Sequence, residues 1–181
     1  MQSNLYTLNL IKNELNDLIQ RPLTTIGTSV GLIDQNNPYI WRCTMMGPQN
    51  TSYSGGLFYL KIEFPSDYPQ TAPEITFVTP IYHVNVNHNK QSGCPLGHIC
   101  ISTLYFWNPQ NRIRDILISI FALFYMGNPE SPYGLDRQDE MMNNHDLYEK
   151  KIKYFTKKYV DFKNKYKEYD NWDFSYSEDD D

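Results

Sequence analysis

Cysteine is scarce in this sequence, with only Cys43, Cys94 and Cys100 among 181 residues. A small, odd number argues against a disulfide framework and favours a reducing compartment. Long apolar runs are also missing, because the longest, 116–126, is interrupted by Ser119 and is shorter than the roughly 20 residues that span a bilayer. The N-terminus has no basic start followed by an apolar stretch, as a signal peptide would. We therefore expect an intracellular protein, cytoplasmic or nuclear, with no membrane partner.

The sequence also lacks an excess of basic residues. Lys and Arg number 16 against 21 Asp and Glu, which gives a formal net charge of −5. A generally positive surface is the electrostatic signature of nucleic-acid binding, so no nucleic-acid partner is expected. The length fits one domain, over 1–169, followed by an acidic tail, 170–181, that its composition predicts to be disordered.

Apolar residues recur at spacings of three and four in three places, which is the period of an amphipathic helix. These repeats predict an N-terminal helix over 4–20, a central buried helix over 113–124 and a C-terminal helix over 146–169. A further short helix is expected over 139–145.

Between 24 and 79 the texture of the sequence changes to β-branched and aromatic segments separated by turns rich in Gly, Pro and Asn. Four consecutive antiparallel strands, a meander, is the simplest topology for such a stretch. Cys43 is expected to be a buried structural thiol in one of them. Together with the helices, this predicts an α+β fold: helix, meander, active-site loop, central helix and C-terminal helices.

The loop region 83–109 concentrates the reactive side chains: three of the four histidines and two of the three cysteines lie there. A cysteine in polar, turn-rich sequence is a candidate nucleophile, since loops carry function and the thiolate is the attacking form. We assign that role to Cys100. Asn85 precedes it by fifteen residues and carries an amide that could donate to a developing oxyanion.

The triplet His83-Val84-Asn85, followed by Cys100 and then by Trp107-Asn108-Pro109, resembles the catalytic core of ubiquitin-conjugating enzymes. That family carries His-Pro-Asn, a cysteine a short loop later, and a Trp-x-Pro turn. The similarity extends over about 4–170, and it looks nearest to the subgroup that includes the acidic-tailed partners of cullin–RING ligases. The further matches, in family order, are Met46-Gly47-Pro48, Tyr53-x-Gly55-Gly56, Phe64-Pro65-x-x-Tyr68-Pro69 and Asn128-Pro129-x-Ser131-Pro132.

The resemblance implies that Cys100 accepts ubiquitin from the activating enzyme as a thioester and passes it to a lysine of a substrate protein. Asn85 would stabilise the oxyanion or order the loop, and His83 would hydrogen-bond the loop backbone. Tyr82 would line the same groove. Ser131 matches the position where the family keeps a serine or an acid at the gate to the cysteine.

The same resemblance implies partners and no cofactor of the protein's own, since ATP is used by the upstream activating enzyme. A ubiquitin ligase, more typically of the RING type, would contact Asn108, Pro109 and Pro69. Two departures from the family stand out: Val84 replaces its proline, and the loop before Cys100 contains an apparent insert over 90–97.

Other interpretations remain open at this point. His88, Cys94, His98 and Cys100 could bind zinc, but Cys-x₅-Cys lies outside the usual ligand spacing, so exposed loop histidines and no metal site are preferred. His98 could instead activate Cys100 in a Cys–His hydrolase. A non-catalytic module of the same fold that binds ubiquitin or a ligase is a third interpretation, and a ubiquitin-like modifier in place of ubiquitin is a fourth.

Overall fold

The first half of the chain forms one helix and a sheet whose strands are consecutive in sequence. The computed structural model describes residues 2–159. Helix α1 spans Gln2–Gln20. Each strand of the sheet pairs antiparallel with the next, and the strands are β1 (Thr28–Asp34), β2 (Asn37–Met46), β3 (Leu57–Glu63) and β4 (Glu74–Phe77). The predicted meander is confirmed.

The second half of the described chain is helical. Its helices are α2 (Ser102–Tyr105), α3 (Ile113–Leu123), α4 (Leu135–Asn143) and α5 (His145–Lys158). The α+β fold and its order of elements are as predicted, although α4 begins four residues before the expected start of the short helix. The rest of the predicted C-terminal helix, 160–169, and the predicted tail, 170–181, lie outside the described residues.

The sheet follows the predicted alternation of buried and partly exposed side chains. On β3, Phe58, Leu60 and Ile62 are buried and their neighbours are only partly covered. Cys43 on β2 is fully buried, and burial raises the pKa of its thiol to about 12. The prediction of a buried structural thiol is confirmed, because a thiol held protonated in this way is neither a nucleophile nor a ligand.

Helix α1 buries a face that only partly matches its apolar pattern. The repeat Leu5, Leu8, Ile11, Leu15, Leu18 and Ile19 predicts one buried face, but Leu5 and Ile19 are 60% and 56% exposed. The most deeply buried side chains of α1 are Thr7, Ile11, Glu14 and Leu18. Ile11 and Leu18 belong to the predicted face, whereas Thr7 and Glu14 are polar, so the buried face is rotated from the one that apolar residues alone predict.

Helix α3 is buried along one side only. Ile113, Ile116, Leu117 and Ile120 pack into the core, whereas Ile118 is 45% exposed. The predicted central buried helix is therefore confirmed, with Ile118 on its solvent-facing side. Within residues 2–159, no helix is long and apolar enough to cross a membrane.

Candidate active site

Two isolated bridges hold the cysteine segment in place after the sheet. Thr76 of β4 bridges His98, and Val86 bridges Ile99. The backbone N–H of Cys100 donates to the carbonyl oxygen of Asn85 at 2.9 Å. Residues fifteen positions apart therefore lie side by side, and the half-buried Cys100 occupies a defined position.

The segment that follows α3 reaches back over the cysteine, and we call residues 128–134 the gate. The Sγ of Cys100 lies 3.1 Å from the Oγ of Ser131. A turn in which the Ser131 N–H donates to the Asn128 carbonyl at 3.3 Å places this serine. The structure thus brings the predicted nucleophile and the predicted gate residue into contact.

Asn85 binds the gate through its side chain. Its Nδ2 donates to the carbonyl oxygens of Asn128, at 2.7 Å, and Ser131, at 2.8 Å. Its Oδ1 accepts from the backbone N–H of Asn128 at 2.7 Å. An asparagine amide has two N–H donors, so both are used here. In this arrangement the amide orders the gate, and it could reach an oxyanion only after leaving one of these carbonyls.

His83 sits beneath the loop, where it is 2% exposed. Its Nδ1 accepts from the backbone N–H of Asn85 at 3.0 Å, so Nε2 carries the proton and donates to the Leu123 carbonyl, also at 3.0 Å. Burial lowers the pKa of His83 to about 4. A neutral imidazole therefore links the loop to the end of α3.

An open pocket of about 630 Å³ adjoins Cys100. One wall is the stretch from Gly93 to Ile101, and the others come from the segment before β4, from α2 and from the gate. The titratable side chains in its lining are Glu74, Cys94, His98, Cys100, Tyr105 and Tyr133. The side chain of Cys100 therefore opens onto this pocket.

Comparison with known proteins assigns the family. A sequence model of the ubiquitin-conjugating enzyme family matches residues 10–156, most of the chain. The chain belongs to the ubiquitin-conjugating enzyme family.

Its relatives match along most of their length. Ubiquitin-conjugating enzyme E2 13 of Arabidopsis thaliana is 32% identical over 157 residues, which cover 79% of this chain and 89% of that one. Ubiquitin-conjugating enzyme E2 15 of Schizosaccharomyces pombe is 30% identical over 166 residues, with 84% and 94% covered. Probable ubiquitin-conjugating enzyme E2 7 of Caenorhabditis elegans is 31% identical over 157 residues, with 79% and 90% covered. Ubiquitin-conjugating activity follows, as do ubiquitin, an activating enzyme and a ligase as general partners.

In this ubiquitin-conjugating enzyme, the valine that replaces the family's proline makes a contact that proline could not. Val84 is fully buried, and its backbone N–H donates to the hydroxyl of Tyr148 on α5 at 2.9 Å. Proline has no N–H. The carbonyl of Val84 accepts from the Tyr133 N–H at 2.9 Å. The side chain also packs against Gly127, where an added Cβ would lie 2.7 Å from Val84 Cγ1.

Tyr82 does not lie where the resemblance placed it. It was expected to line the groove of the cysteine, but its ring stacks on Arg137 of α4, with 4.2 Å between the guanidinium carbon and the ring centroid. Its hydroxyl donates to Glu140 at 2.6 Å. The expectation is wrong, because the ring fills the space between the loop and helices α4 and α5.

The insert is organised by Asn87, a residue that the sequence analysis missed. The fully buried amide of Asn87 donates to the carbonyls of Cys94, at 2.9 Å, and Pro95, at 2.8 Å. The backbone carbonyl of Asn87 also accepts from the Gly97 N–H at 2.8 Å. The sequence signal that could have identified Asn87 is the alternation Val84-Asn85-Val86-Asn87. In the structure all four residues are buried.

The loop histidines are more covered than expected, because the insert leans on the gate and the start of α4. His98 Nδ1 hydrogen-bonds the hydroxyl of Tyr133, and His88 Nε2 lies 3.4 Å from a carboxylate oxygen of Asp136. Both rings are only partly exposed, so their description as exposed loop histidines is wrong. In the part of the chain that the structure describes, no three His, Cys, Asp or Glu side chains are grouped as a metal site.

The predicted ligase contacts form two connected loops. The indole N–H of Trp107 donates to the carbonyl of Pro69 at 2.7 Å and so ties the loop before β4 to the loop after α2. Asn108 and Pro109 are exposed, as a contact surface requires, but Pro69 is buried and Gln70 beside it is exposed. Pro69 therefore supports the surface rather than forming it.

Proposed function

We propose that this enzyme carries ubiquitin as a thioester on Cys100 and transfers it to substrate lysines. The Cys100 thiolate attacks the ubiquitin thioester of the activating enzyme and expels that enzyme's thiolate. A lysine amine then attacks the carbonyl carbon on Cys100, the C–S bond breaks, and an isopeptide bond remains. No cofactor is required, since the upstream enzyme spends the ATP.

The observation that carries this proposal is the position of the Cys100 thiol, which is half-buried at the edge of an open pocket and 3.1 Å from Ser131. Cys43 is sealed in the core and Cys94 belongs to the insert. Ser131 is suited to guide the incoming lysine, because its hydroxyl contacts the Cys100 sulfur to which the thioester carbonyl would be bonded. His83 would keep the loop in place and take no proton.

For ligase binding we propose a RING-type partner seated on the exposed residues Gln70, Asn108 and Pro109, which the Trp107–Pro69 hydrogen bond holds together. Transfer in the cytoplasm or nucleus is consistent with free thiols at all three cysteines. A ubiquitin-like modifier in place of ubiquitin would use the same chemistry.

The test is a loading reaction with activating enzyme, ATP and ubiquitin, read on non-reducing and reducing gels. We expect one covalent adduct that a thiol reductant removes, no adduct with Cys100→Ala, and normal loading with the matched control Cys94→Ala. Cys100→Ser should give an ester that resists the reductant. Loading by Cys100→Ala would refute the assignment of Cys100 as the nucleophile. Loading only with a ubiquitin-like protein would show that the enzyme carries that protein and not ubiquitin.

A further inference from the structure

The cysteine segment and the gate face each other through two pairs of side chains. His98 and Cys100 are alternate residues of one segment, and Ser131 and Tyr133 are alternate residues of the other. Ser131 contacts Cys100, and the Tyr133 hydroxyl hydrogen-bonds Nδ1 of His98. The His98 and Tyr133 rings meet edge to face, with centroids 5.8 Å apart at 83°. Both residues line the pocket onto which Cys100 opens.

The surroundings of this pair keep both groups neutral near pH 7. Burial lowers the pKa of His98, and the charge of Glu74 only partly opposes this. Burial, and next a hydrogen bond with the Cys94 thiol, raise the pKa of Tyr133, while the charges of Cys100 and Glu74 act in the same direction. A neutral imidazole that accepts a hydrogen bond from a phenol can act as a base through the phenol oxygen.

A base in the pocket would speed transfer to lysine. A free lysine has a pKa near 10.4, so at pH 7 almost every acceptor arrives protonated, and its nitrogen must lose one proton before it attacks and a second as the new bond forms. The Ser131 hydroxyl can orient the amine, but it is too weak a base to take up the proton of the amine. Among the pocket-lining groups of the described chain, His98 has both neutral basicity at pH 7 and a fixed hydroxyl next to it.

We propose that Tyr133 and His98 form a proton relay for the incoming lysine, an inference that rests on the proposed thioester transfer. A lysine ammonium in the pocket first gives one proton to the Tyr133 oxygen while the Tyr133 proton passes to His98 Nδ1. The neutral amine then attacks the thioester carbonyl, the C–S bond breaks, and the second proton of the attacking nitrogen leaves with Cys100 as its thiol. The imidazolium later returns its proton to solvent. Tyr133 is the catalytic residue, and His98 acts through it.

The experiment uses the full chain, loaded with ubiquitin and then mixed with free lysine in a single-turnover discharge. Tyr133→Phe removes the hydroxyl and keeps the ring. His98→Asn offers an amide oxygen near the position of Nδ1, so the hydrogen bond to Tyr133 can persist without basicity. We expect loading within about twofold of wild type, and discharge at pH 7 slower by at least about tenfold in each variant. The double variant should be no slower than either single variant.

Matched controls come from residues of the same types elsewhere on the surface. Tyr125→Phe, at an exposed position after α3, and His145→Asn, at the start of α5, should load and discharge as wild type does. Melting curves of all variants identify any that fail to fold, and His98→Asn is the variant expected to retain the gate contact.

The pH profile separates a relay from a purely structural contact. Between pH 7 and 10 free lysine loses its proton in solution, so the deficit of Tyr133→Phe and His98→Asn should shrink toward unity. A deficit that stays constant with pH, or equal deficits in loading and discharge, would show that the pair only holds the gate. Discharge by both variants at the wild-type rate would also overturn the relay. Failure of the wild type to load at all would overturn both the relay and the proposed function.

Discussion

Two buried amides on alternate residues divide the work of shaping the site. Asn85 holds the gate and Asn87 holds the insert, and each donates both Nδ2 hydrogens to backbone carbonyls of a different segment. A carboxylate would bring its negative charge against those carbonyls, and an apolar side chain would remove one hydrogen bond from each of them. Asparagine is required at both positions because it supplies two donors and one acceptor within a short side chain.

The role of Asn85 can be tested by its effect on folding. Asn85→Ala removes three hydrogen bonds, which the carbonyls of Asn128 and Ser131 and the Asn128 N–H make with the amide. We therefore expect the free energy of unfolding to fall by about 1–3 kcal/mol. Urea denaturation measures that change, and hydrogen exchange should show faster exchange in the gate. Discharge should slow because Ser131 loses its position.

The control is Asn108→Ala, at an exposed asparagine of the loop after α2, whose Oδ1 accepts from the nearby Gln110 N–H at 2.9 Å. Because this hydrogen bond is exposed to solvent, its loss should lower the free energy of unfolding by less than about 1 kcal/mol. If Asn85→Ala leaves stability and gate exchange unaltered and slows only discharge, then Asn85 is an oxyanion donor and the gate does not depend on it.

At the scale of secondary-structure elements, the sequence predicted what apolar periodicity encodes and missed what buried polar groups add. The period of two on β3 and the order of the meander followed from apolar alternation. The face of α1 did not, because Thr7 and Glu14 are buried through hydrogen bonds to a distant loop. Thr7 donates to the Tyr68 carbonyl at 2.6 Å, and Glu14 accepts from the Tyr68 hydroxyl at 2.6 Å. Partners 54 and 61 positions apart leave no local pattern.

Glu14 also joins α1 to α3, since its second oxygen accepts from the Ile113 N–H at 2.7 Å. That N–H belongs to the first turn of α3 and has no partner within the helix. Burial raises the pKa of Glu14, and the hydrogen bonds from Tyr68 and Ile113 oppose the rise. One carboxylate thus connects the first helix, the central helix and the loop that carries Pro69.

Glu14→Gln turns one acceptor of this junction into a donor that faces another donor. We expect the free energy of unfolding to fall by about 1–3 kcal/mol, measured by urea denaturation. A double-mutant cycle with Tyr68→Phe should give a coupling energy of about 0.5–3 kcal/mol. Tyr6→Phe, at an exposed tyrosine of α1, should show no coupling to Glu14. Additive losses for Glu14→Gln and Tyr68→Phe would mean that the hydrogen bond between them does not contribute to stability.

At the scale of the whole molecule, motifs predicted a nucleophile but not the side chains that surround it. Cys100, Asn85 and Ser131 follow from short patterns that occur in a fixed order along the chain. The contact between His98 and Tyr133 joins two loops 35 residues apart, one of which includes the insert. The prediction for Tyr82 failed for a related reason. The next residue, His83, contacts the loop, whereas the Tyr82 ring packs against α4. Side-chain direction in irregular segments depends on packing that no periodicity reports.

The deepest titratable group of the site also makes stability depend on pH. His83 has a pKa of about 4 in the folded protein and about 6.5 when unfolded. The unfolded chain therefore binds more protons below pH 6.5, so folding stability is complete above that pH and declines as the pH falls toward 4. By this linkage, His83 alone removes about 2 kcal/mol between pH 8 and pH 5. His88 and His98, whose pKa values burial also lowers, act in the same direction, and Glu14 acts in the opposite one.

His83→Gln should be less stable than wild type at pH 8. The glutamine amide does not place an acceptor and a donor where the two ring nitrogens of His83 meet the Asn85 N–H and the Leu123 carbonyl. Between pH 8 and pH 5 it should nevertheless lose about 2 kcal/mol less stability than wild type, because it lacks the imidazole that is protonated in the unfolded chain and not in the folded protein. Urea unfolding at several pH values measures both effects. His145→Gln, at an exposed histidine, should give a curve parallel to that of wild type. If the His83→Gln curve also runs parallel to wild type from pH 8 to 5, His83 takes up its proton equally in both states and does not couple the site to acid unfolding.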